Sequence, residues 1–470
     1  MLQTAFINRS MELQALEEQY QTPQAALFVL YGRRRVGKTA LLRRFCHGKP
    51  HVYFQASQEP ERDNVRHFLR EAADALGDEL LARADYSDWE TALQYLSRSA
   101  RSERLIVILD EFPYLCDANE ALPSLLQRFW DHTGLQTKLM LLLCGSSVSF
   151  MEQKVLAERS PLFGRRTGQL ELLPLDYRDA AAFLPDYSTD QLVQAYGILG
   201  GMPMYQAQFS DQVSLAQNVQ RSIFRPQTLL YTELDNVLRI ELRDPTTYNS
   251  ILEAVADGKT KHSEIATRVD RPANAVSPYL ARLESLRIVE RVASLTDNAS
   301  GRRGHGRYFI CDPFARFWYR FVLPNRSLIE IGEGERVWAQ RVGPQVDQFL
   351  GPSFESLCRQ YMRRHAYEKL GLLPDGEVGR YWSGDAEIDV LCRNDDGSHT
   401  SGECKWSNRM MDEADLEDLQ RKCQALAPHW RERMQYVLFS RRGFTQKLSR
   451  RAAQEGHHLV SLDDLYGRDQ

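Results

Sequence analysis

The sequence predicts an α/β protein in three parts: a parallel sheet with helices on both faces, a winged helix-turn-helix, and a second α/β region. Three observations support this prediction. Short, almost continuous apolar runs alternate with amphipathic stretches in the first half, as in a parallel sheet that is covered on both faces. Three helical patterns and a glycine-bearing hairpin follow. The last third again alternates helices and strands around a core of its own.

The first part is expected to span residues 1–235. Four apolar runs have the character of buried strands, at residues 26–31, 51–55, 105–109 and 139–144. Residues 170–235 read as helical and are expected to form a small lid on the sheet.

The second part is expected to span residues 236–325. It has predicted helices at 245–258, 262–269 and 274–287, and then a β-rich piece with Gly301, Gly304 and Gly306. Three helices followed by such a hairpin are the order of a winged helix-turn-helix.

The third part, residues 335–470, is predicted to open with a helix at 346–365. Strands are expected near 377–393, 400–406, 436–440 and 458–461, with helices at 411–427 and before the last strand. We therefore expect an α/β domain with a separate core.

Composition is that of an ordinary globular chain, with 43% hydrophobic and 26% charged residues and a formal net charge of −4. Any contact with nucleic acid therefore needs a local basic patch. The eight cysteines form no Cys-x-x-Cys pair, which argues against a zinc site or a disulfide framework. The sequence has no signal-peptide pattern and no apolar run of the ~20 residues that cross a bilayer. We expect a cytoplasmic protein without membrane contact.

A phosphate-binding loop follows the first apolar run. Residues 32–39 fit the pattern G-x-x-x-x-G-K-[ST] between a strand and a helix, and glycines there let backbone N–H groups point at phosphates. Lys38 would bridge the β- and γ-phosphates of ATP, and Thr39 would offer its hydroxyl to Mg²⁺. The predicted nucleotide-binding residues of this loop are Gly32, Arg33, Arg34, Arg35, Val36, Gly37, Lys38, Thr39 and Ala40.

Two acids end the third apolar run. Asp110 and Glu111 follow five apolar residues, and a buried strand that ends in two carboxylates needs a partner for them. We expect Asp110 to hold Mg²⁺, through water, and Glu111 to orient or deprotonate the attacking water. The pair therefore predicts hydrolysis as well as binding.

These segments carry a resemblance to a known family. The opening FINRSMELQAL resembles the first motif of the STAND and related AAA-type ATPases, with Asn8 and Ser10 in place of the usual Gly and Glu while Arg9 and Glu12 are kept. YGRRRVGKTALL, LIVILDEFPYL and LLCGSSVSFM resemble the prokaryotic P-loop ATPase family first noted in archaea. The resemblance implies a P-loop NTPase fold.

The resemblance also implies roles for further residues. Ser146 or Ser147 would stand where a γ-phosphate sensor belongs, and Pro203 in Gly201-Met202-Pro203 would pack on adenine. Arg165 is a candidate arginine finger, together with its neighbour Arg166, because charge that develops on the γ-phosphate needs a cation. A turn serine and a surface arginine pair remain the alternatives.

The winged helix leaves two hypotheses open. Asn274, Ser277 and Arg282 on its third helix, with Arg302, Arg303, His305 and Arg307 on the wing, would contact DNA. Pro278 interrupts that helix, and the resemblance to STAND-type ATPases implies a mechanical or interaction element, which favours packing within the protein or within an oligomer. The aromatic segment at 312–325 is expected to form core or inter-domain packing rather than a base-stacking platform.

A carboxylate cluster is predicted in the third part. Asp389 lies on one predicted strand, and Glu403 and Lys405 share a face of the next, so a hairpin would bring the three together. Two carboxylates bind a hard divalent ion and a lysine activates water, which is the D…E-x-K arrangement of restriction-endonuclease-like nucleases. Glu355 would add an acid. A surface salt bridge of Lys405 is the alternative.

VGRYWSGDAEIDVLCRNDDGSHTSGECKW also resembles the C-terminal domain of the same ATPase family, which implies a PD-(D/E)xK nuclease-like fold. We therefore expect a Mg²⁺-dependent ATPase whose nucleotide state controls a nuclease-like domain. That domain would use a second Mg²⁺ or Mn²⁺ and act on DNA or RNA, and the protein would form a homo-oligomer. A STAND-type signalling or scaffold switch without nuclease activity is one alternative, and a winged-helix transcription regulator is another.

Overall fold

A computed structural model describes residues 6–78, 81, 88–242, 244–296 and 306–468. The chain forms two compact units. The first contains the residues up to Pro174 together with Met202–Met204, and the second contains Leu175–Gly201 and the residues from Tyr205 onward. The region predicted to be the lid falls largely in the second unit, because the helix Thr189–Leu199 packs against the helices Pro313–Phe317 and Val346–Arg364. The predicted second and third parts also lie within that unit.

The first unit is built on a five-stranded parallel sheet. Its strands are β1 (Ala26–Tyr31), β2 (His51–Gln55), β3 (Leu105–Asp110), β4 (Leu139–Gly145) and β5 (Gly168–Glu171). The order across the sheet is β2-β3-β4-β1-β5, and every neighbouring pair is parallel. Strands β1, β3 and β4 are buried along their whole length, which is why each reads as a continuous apolar run. The four predicted strands are present, and β5 was not predicted.

Helices cover this sheet. They span Ser10–Gln21, Lys38–Cys46, Glu61–Leu76, Trp89–Ser99, Phe112–Ala118, Leu122–His132 and Val148–Phe150, with a 3₁₀ turn at Gly134–Gln136 and a wider turn at Met151–Leu156. Because all five strands run the same way, the loops after β1, β3 and β4 meet at one edge of the sheet, where parallel α/β proteins place their sites.

The second unit contains three helices in the predicted order, Pro245–Ala256, His262–Arg268 and Ala273–Ser285. An antiparallel pair follows, made of β6 (Val289–Val292) and β7 (Arg307–Ile310). The expected wing residues Arg302, Arg303 and His305, with Gly301 and Gly304, lie outside the described residues. The winged helix-turn-helix stays a prediction.

A second five-stranded sheet lies nearer the C-terminus. Its strands are β8 (Gly379–Ser383), β9 (Ala386–Arg393), β10 (His399–Lys405), β11 (Met434–Ser440) and β12 (His458–Ser461). Strands β8, β9 and β10 are antiparallel neighbours, and β10, β11 and β12 are parallel. A hairpin of β9 and β10 therefore places the residues around Asp389 and Glu403 side by side.

The pair β6–β7 packs against this second sheet. The guanidinium carbon of Arg307 lies 4.8 Å from the centre of the Trp382 ring, and that of Arg380 lies 5.3 Å from the Phe309 ring. Leu295, between β6 and β7, belongs to the apolar core under β8 and β9. The segment from β6 to β7 therefore contributes to the core of the second sheet.

The remaining helices of the second unit complete it. They span Tyr177–Ala181, Thr189–Leu199, Pro203–Gln206 (which begins in the first unit), Leu215–Ser222, Leu229–Glu241, Pro313–Phe317, Arg326–Glu330, Gly334–Val337, Val346–Arg364, Ala366–Leu370, Glu413–Cys423, Pro428–Arg431, Gln446–Glu455 and Leu462–Tyr466. Wider or 3₁₀ turns lie at Trp318–Val322, Leu323–Asn325, Trp338–Val342 and Gly343–Gln345.

The aromatic segment that was expected to be core is buried. Phe314, Phe317, Trp318, Tyr319 and Phe321 are each at most 2% exposed. All eight cysteines are free thiols. Among the described residues, none of the helices combines the length and the apolar character that a membrane crossing requires.

Candidate nucleotide site and carboxylate cluster

The loop after β1 has a shape that only glycine permits at its two ends. Gly32 has a φ of 152°, and a Cβ there would lie 2.4 Å from the backbone oxygen of Leu172. Gly37 has a φ of 103° and immediately precedes the helix Lys38–Cys46. The six residues between β1 and this helix therefore wrap around the helix N-terminus, where backbone N–H groups favour an anion.

Lys38 is folded onto this loop. Its ammonium donates hydrogen bonds to the backbone oxygens of Gly32 at 2.7 Å and Arg33 at 3.1 Å, and the residue is 7% exposed. Burial lowers the pKa of Lys38, while the neighbouring Cys144, Glu111 and Asp110 oppose that change. The ammonium thus lies within the field of both acids that follow β3.

Asp110 ends β3 and is 3% exposed. One carboxylate oxygen accepts a hydrogen bond from the backbone N–H of Glu111 at 2.9 Å, and the other accepts from the hydroxyl of Tyr53. The Tyr53 hydroxyl also lies close enough to Thr39 to interact with that side chain. Hydroxyl and carboxylate oxygens beside a phosphate loop are a donor set that suits a hard divalent ion, so Thr39 and Asp110 fit the predicted Mg²⁺.

Glu111 occupies a left-handed backbone position, with a φ of 54°, just before the helix Phe112–Ala118. The Ser146 hydroxyl lies 2.6 and 2.8 Å from the two carboxylate oxygens of Glu111, and the Ser146 backbone N–H donates to one of them at 3.3 Å. Ser146 therefore contacts the expected catalytic acid. The next serine, Ser147, directly precedes the helix Val148–Phe150.

Two residues from distant parts of the sequence also contact the loop. The Arg9 guanidinium donates to the backbone oxygens of Val36 at 3.2 Å and Leu173 at 2.8 Å. Pro203 lies beside Gly37, because a Cβ on Gly37 would be 3.8 Å from the Pro203 ring. Phe6 and Met204, near these two residues in sequence, are partly exposed. This is the place expected for adenine.

Arg165 lies elsewhere. Its guanidinium pairs with Asp131 at 2.9 Å, at the end of the helix Leu122–His132 that leads into β4. Thr167, two residues later, donates its backbone N–H to Leu27 at the start of β1. Both contacts are at the amino ends of the strands, opposite the phosphate loop. The structure therefore does not bring Arg165 to the loop of its own chain, and Arg166 instead contacts the backbone oxygen of Leu156.

Sequence reasoning missed three neighbours of this site. Tyr53 contacts Thr39 and Asp110, Cys144 at the end of β4 contacts Asp110, and Tyr114 accepts a 2.7 Å hydrogen bond from Arg34. The signal was the strand order, since β2 and β4 flank β3 and their side chains meet its terminal acids. As long as the strand order is unknown, the sequence gives no reason to choose Tyr53 over its neighbours in β2.

In the second unit, the hairpin brings Asp389, Glu403 and Lys405 together. Asp389 accepts a hydrogen bond from the backbone N–H of Cys404 at 2.9 Å. The Lys405 ammonium pairs with Glu403, whose side chain is 4% exposed. A second lysine, Lys422 of the helix Glu413–Cys423, contacts both oxygens of Glu403 at 3.0 and 2.9 Å and was not predicted.

Glu355 faces arginines. Its carboxylate lies 3.2 Å from Arg380 and 3.8 Å from Arg359, and the guanidinium of Arg359 also donates to the backbone oxygen of Asp389 at 2.8 Å. Burial, with the nearby charge of Arg380, lowers the pKa of Arg359 to about 10. Across the described ranges, no group of three or more His, Cys, Asp or Glu side chains is arranged to hold a metal ion. The expected metal site is not preformed, because cations of the chain already neutralise Glu355 and Glu403.

Within the part of the chain that the structure describes, no cation is hydrogen-bonded to the Asp389 carboxylate. Its burial, together with the charges of Glu355 and Glu403, raises the pKa of Asp389 to about 7. Burial lowers the pKa of Lys422, but its hydrogen bond and charge interaction with Glu403 outweigh burial and raise it. The three acids therefore share one electrostatic environment.

The basic residues near this sheet are mostly paired. Arg363 donates to the backbone oxygen of Val378, and Arg441 pairs with Asp190 and Asp347. Arg364, Arg442, Lys447 and Arg451 contact Asp176, Asn408, Glu413 and Glu417, respectively, while Arg450 is exposed. They do not converge on one open channel.

Comparison with known proteins gives the family. Residues 6–209 match a family described as "ATPase domain predominantly from Archaea", and residues 318–419 match one described as "Archaea bacterial proteins of unknown function". An uncharacterised protein of Methanocaldococcus jannaschii is 33% identical over 408 residues, which are 86% of this chain and 88% of that protein. An ATP-binding protein of the same archaeon is 50% identical over 44 residues, 9% of this chain and 75% of that protein.

A solved structure shows the fold. A Walker-type ATPase of Pyrococcus abyssi superposes with a TM-score of 0.51 at 20% identity, covering 67% of this chain and 96% of that one. This superposition, together with the five parallel strands of the first unit, identifies a P-loop NTPase fold. The chain therefore belongs to the archaeal-type P-loop ATPase family, as a nucleotide-binding ATPase with an additional C-terminal α/β region.

Proposed function

We propose that the first unit hydrolyses ATP with Mg²⁺ bound between Thr39 and Asp110. The observation that supports this most is the position of Lys38, whose ammonium lies against the loop and within the field of Asp110 and Glu111. The hydrogen-bond partners of this ammonium are neutral carbonyl oxygens. Phosphate oxygens would compete for the same ammonium, because a charged acceptor makes the stronger hydrogen bond.

The residues divide the work. The N–H groups of the loop and Lys38 hold the β- and γ-phosphates, and Thr39 and Asp110 hold the ion, which when bound neutralises charge on the phosphates. Glu111 orients the attacking water and accepts its proton, while Ser146 fixes the Glu111 carboxylate by the hydrogen bonds described above. Pro203 and Arg9 support the adenine side.

Glu111→Gln tests this division. The amide keeps the shape of the carboxylate and removes its basicity, so turnover is expected to fall by about a hundredfold or more while ATP binding in calorimetry is retained. Glu103→Gln, a change of an exposed acid just before the same strand, is the matched control and should turn over ATP normally. Full turnover in Glu111→Gln would contradict the assignment.

We further propose that the nucleotide state controls a nuclease-like C-terminal domain that acts on DNA or RNA with Mg²⁺ or Mn²⁺. The closeness of Asp389, Glu403 and Lys405 supports it, since a purely structural salt bridge does not require the second carboxylate. Lys405 and Lys422 hold Glu403, so a metal ion would have to displace at least one of them.

Labelled single- and double-stranded DNA and RNA, incubated with Mn²⁺ and with or without ATP, test this proposal. Cutting by the wild-type protein that Asp389→Ala abolishes would support it, with Asp395→Ala, a change of an exposed loop acid, as control. Absence of cutting on every substrate would favour the alternative, a STAND-type switch that orders a homo-oligomer without cleavage.

For the winged-helix region, packing within the protein is the function that we favour over DNA contact. Arg307, one of the expected phosphate contacts, is stacked on Trp382, and Ser277 of the third helix is hydrogen-bonded to His262. A gel shift that is lost in Arg268→Ala with Arg271→Ala, two exposed basic residues near the third helix, would instead favour the transcription-regulator alternative. We place the protein in the cytoplasm, in keeping with its eight free thiols.

A further inference from the structure

Tyr53 is half-buried on β2, the strand at one edge of the first sheet. Val52 and Phe54 on either side of it are buried in the main core of this unit. Because side chains alternate along a strand, Tyr53 projects from the opposite face. It is in register with Ile108, and Asp110 lies two residues beyond on that same face. The ring therefore reaches along the sheet toward the terminal acid of β3.

The Tyr53 hydroxyl has two partners there. It donates to the oxygen of Asp110 that does not accept from the Glu111 N–H, and it lies close enough to Thr39 to interact with that side chain. These are the two residues that would hold Mg²⁺ in the proposed function. The Tyr53 hydroxyl thus lies between Thr39 of the helix Lys38–Cys46 and the acid at the end of β3.

We propose that Tyr53 is a positioning residue of the ATPase site, which holds the Asp110 carboxylate and the Thr39 hydroxyl in the orientation in which they receive Mg²⁺. The inference rests on the proposed Mg²⁺ dependence. With one Asp110 oxygen fixed by a backbone N–H and the other by Tyr53, the carboxylate cannot rotate about its last bond. Without the phenol it can rotate, and the site must be ordered again each time an ion binds. Residues that orient metal ligands in this way change metal affinity by about 10–100-fold.

The test is Tyr53→Phe, which removes one oxygen and keeps the ring. We expect the Mg²⁺ concentration that half-saturates binding of a non-hydrolysable ATP analogue to rise by about tenfold. Binding of the same analogue in EDTA should be unchanged, which also reports that the loop is folded. Turnover at saturating Mg²⁺ should recover most of its wild-type value, so the effect is on the ion and not on the chemical step.

Tyr95→Phe is the matched control. Tyr95 also donates its hydroxyl to an aspartate, Asp78, within the helical layer of the same unit and away from the phosphate loop. It should match Tyr53→Phe in any loss of thermal stability and leave the Mg²⁺ dependence unchanged. Because Tyr53 is argued to act through Asp110, adding Tyr53→Phe to an Asp110→Asn protein should change Mg²⁺ binding little further.

The outcomes are distinguishable. An unchanged half-saturating Mg²⁺ concentration in Tyr53→Phe, with a Mg²⁺-dependent wild type, would overturn this inference and leave the proposed ATPase intact. A lower concentration would also overturn it, because the hydroxyl would then be a competitor of the ion. If the wild type bound the analogue with no regard to Mg²⁺, the proposed function itself would fail.

Discussion

The two sites of this protein both contain clustered carboxylates and lysines, but they satisfy them differently. At the nucleotide site, Lys38 contacts backbone oxygens and the acids contact hydroxyl and N–H groups. At the C-terminal cluster, Glu403 is paired with two lysines and Glu355 with two arginines. Neutral partners leave the charges of the first site available to a polyphosphate and a cation, whereas the second site is already neutralised by its own side chains.

This difference shows that a D…E-x-K pattern does not by itself indicate that the carboxylates are available to a metal ion. Convergence of the residues follows from a hairpin, but availability depends on which cations lie nearby, and Lys422 and Arg380 come from elements that the pattern does not include. Breaking a buried ion pair on one side leaves an uncompensated charge, so a metal ion must replace what it displaces. The four predictions that follow test this contrast.

The largest effect is expected from Lys38→Ala. Removing the ammonium leaves the β- and γ-phosphates without their cation, and we expect ATP turnover to fall by about a hundredfold or more. Steady-state phosphate release measures it. Lys138→Ala, an exposed lysine before β4, should retain turnover. Unchanged turnover in Lys38→Ala would remove the basis of the nucleotide-site assignment.

Lys422→Ala would change the second site in the opposite sense. Because Glu403 would lose one of its two cations, Mn²⁺ binding to the C-terminal cluster should tighten by about tenfold in calorimetry. An Asp110→Asn background removes the contribution of the nucleotide site. Lys447→Ala, a change of an exposed lysine of the same unit, should have no effect. Weaker Mn²⁺ binding in Lys422→Ala would show that the lysine supports the ion. It would contradict the conclusion that Lys422 competes with a metal ion at the C-terminal cluster.

Ser146→Ala tests how firmly Glu111 is held. Losing the hydroxyl removes the two short contacts to the carboxylate but leaves the backbone N–H, so turnover should fall by about fivefold with ATP affinity unchanged. The split between kcat and KM distinguishes orientation of Glu111 from loss of a phosphate contact, which would raise KM instead. Ser124→Ala, at an exposed position of the helix Leu122–His132, serves as the control.

The smallest effect is a pH dependence of stability from Asp389. Its pKa is raised in the folded protein, so between pH 4 and 7 the folded state binds more protons than the unfolded state, and the free energy of unfolding falls as the pH rises. Asp389→Asn removes this contribution. The unfolding temperature of the wild type relative to Asp389→Asn should therefore be about 2 °C or more lower at pH 8 than at pH 5. An identical pH dependence in both proteins would show that burial and the charges of Glu355 and Glu403 do not raise the pKa of Asp389.

Strands that are buried on both faces could be predicted, because burial on both faces gives a continuous apolar run in the sequence. β1, β3 and β4 are covered on both faces and appear as continuous apolar runs, and β12 was predicted at its observed bounds. β5 was not predicted, because its four residues, GQLE, are only half-buried on the sheet edge and have neither a run nor an alternation. The division into two units could not be predicted either, because the sequence of the helix Thr189–Leu199 does not indicate which helices it packs against.

The nucleotide residues were predictable from chemistry in sequence order. Gly32, Gly37 and Lys38 follow one another on one loop, so their spacing alone defines the site. Tyr53 and Lys422 could not be chosen, because their roles depend on which strand or helix lies beside the acids, and that is decided by packing over long sequence separations. Arg165 failed to reach the loop for the same reason: the direction of β5 places the residues before it at the far edge.

The packing of β6 and β7 on β8 has a practical consequence for dissecting this protein. A fragment beginning near residue 335 would leave behind Leu295, whose side chain lies against Gly379 and fills part of the core under β8 and β9. Such a fragment would expose apolar surface and tend to aggregate, and a negative result with it would say nothing about the intact chain. Truncations intended to isolate the last sheet should begin ahead of the helix Pro245–Ala256.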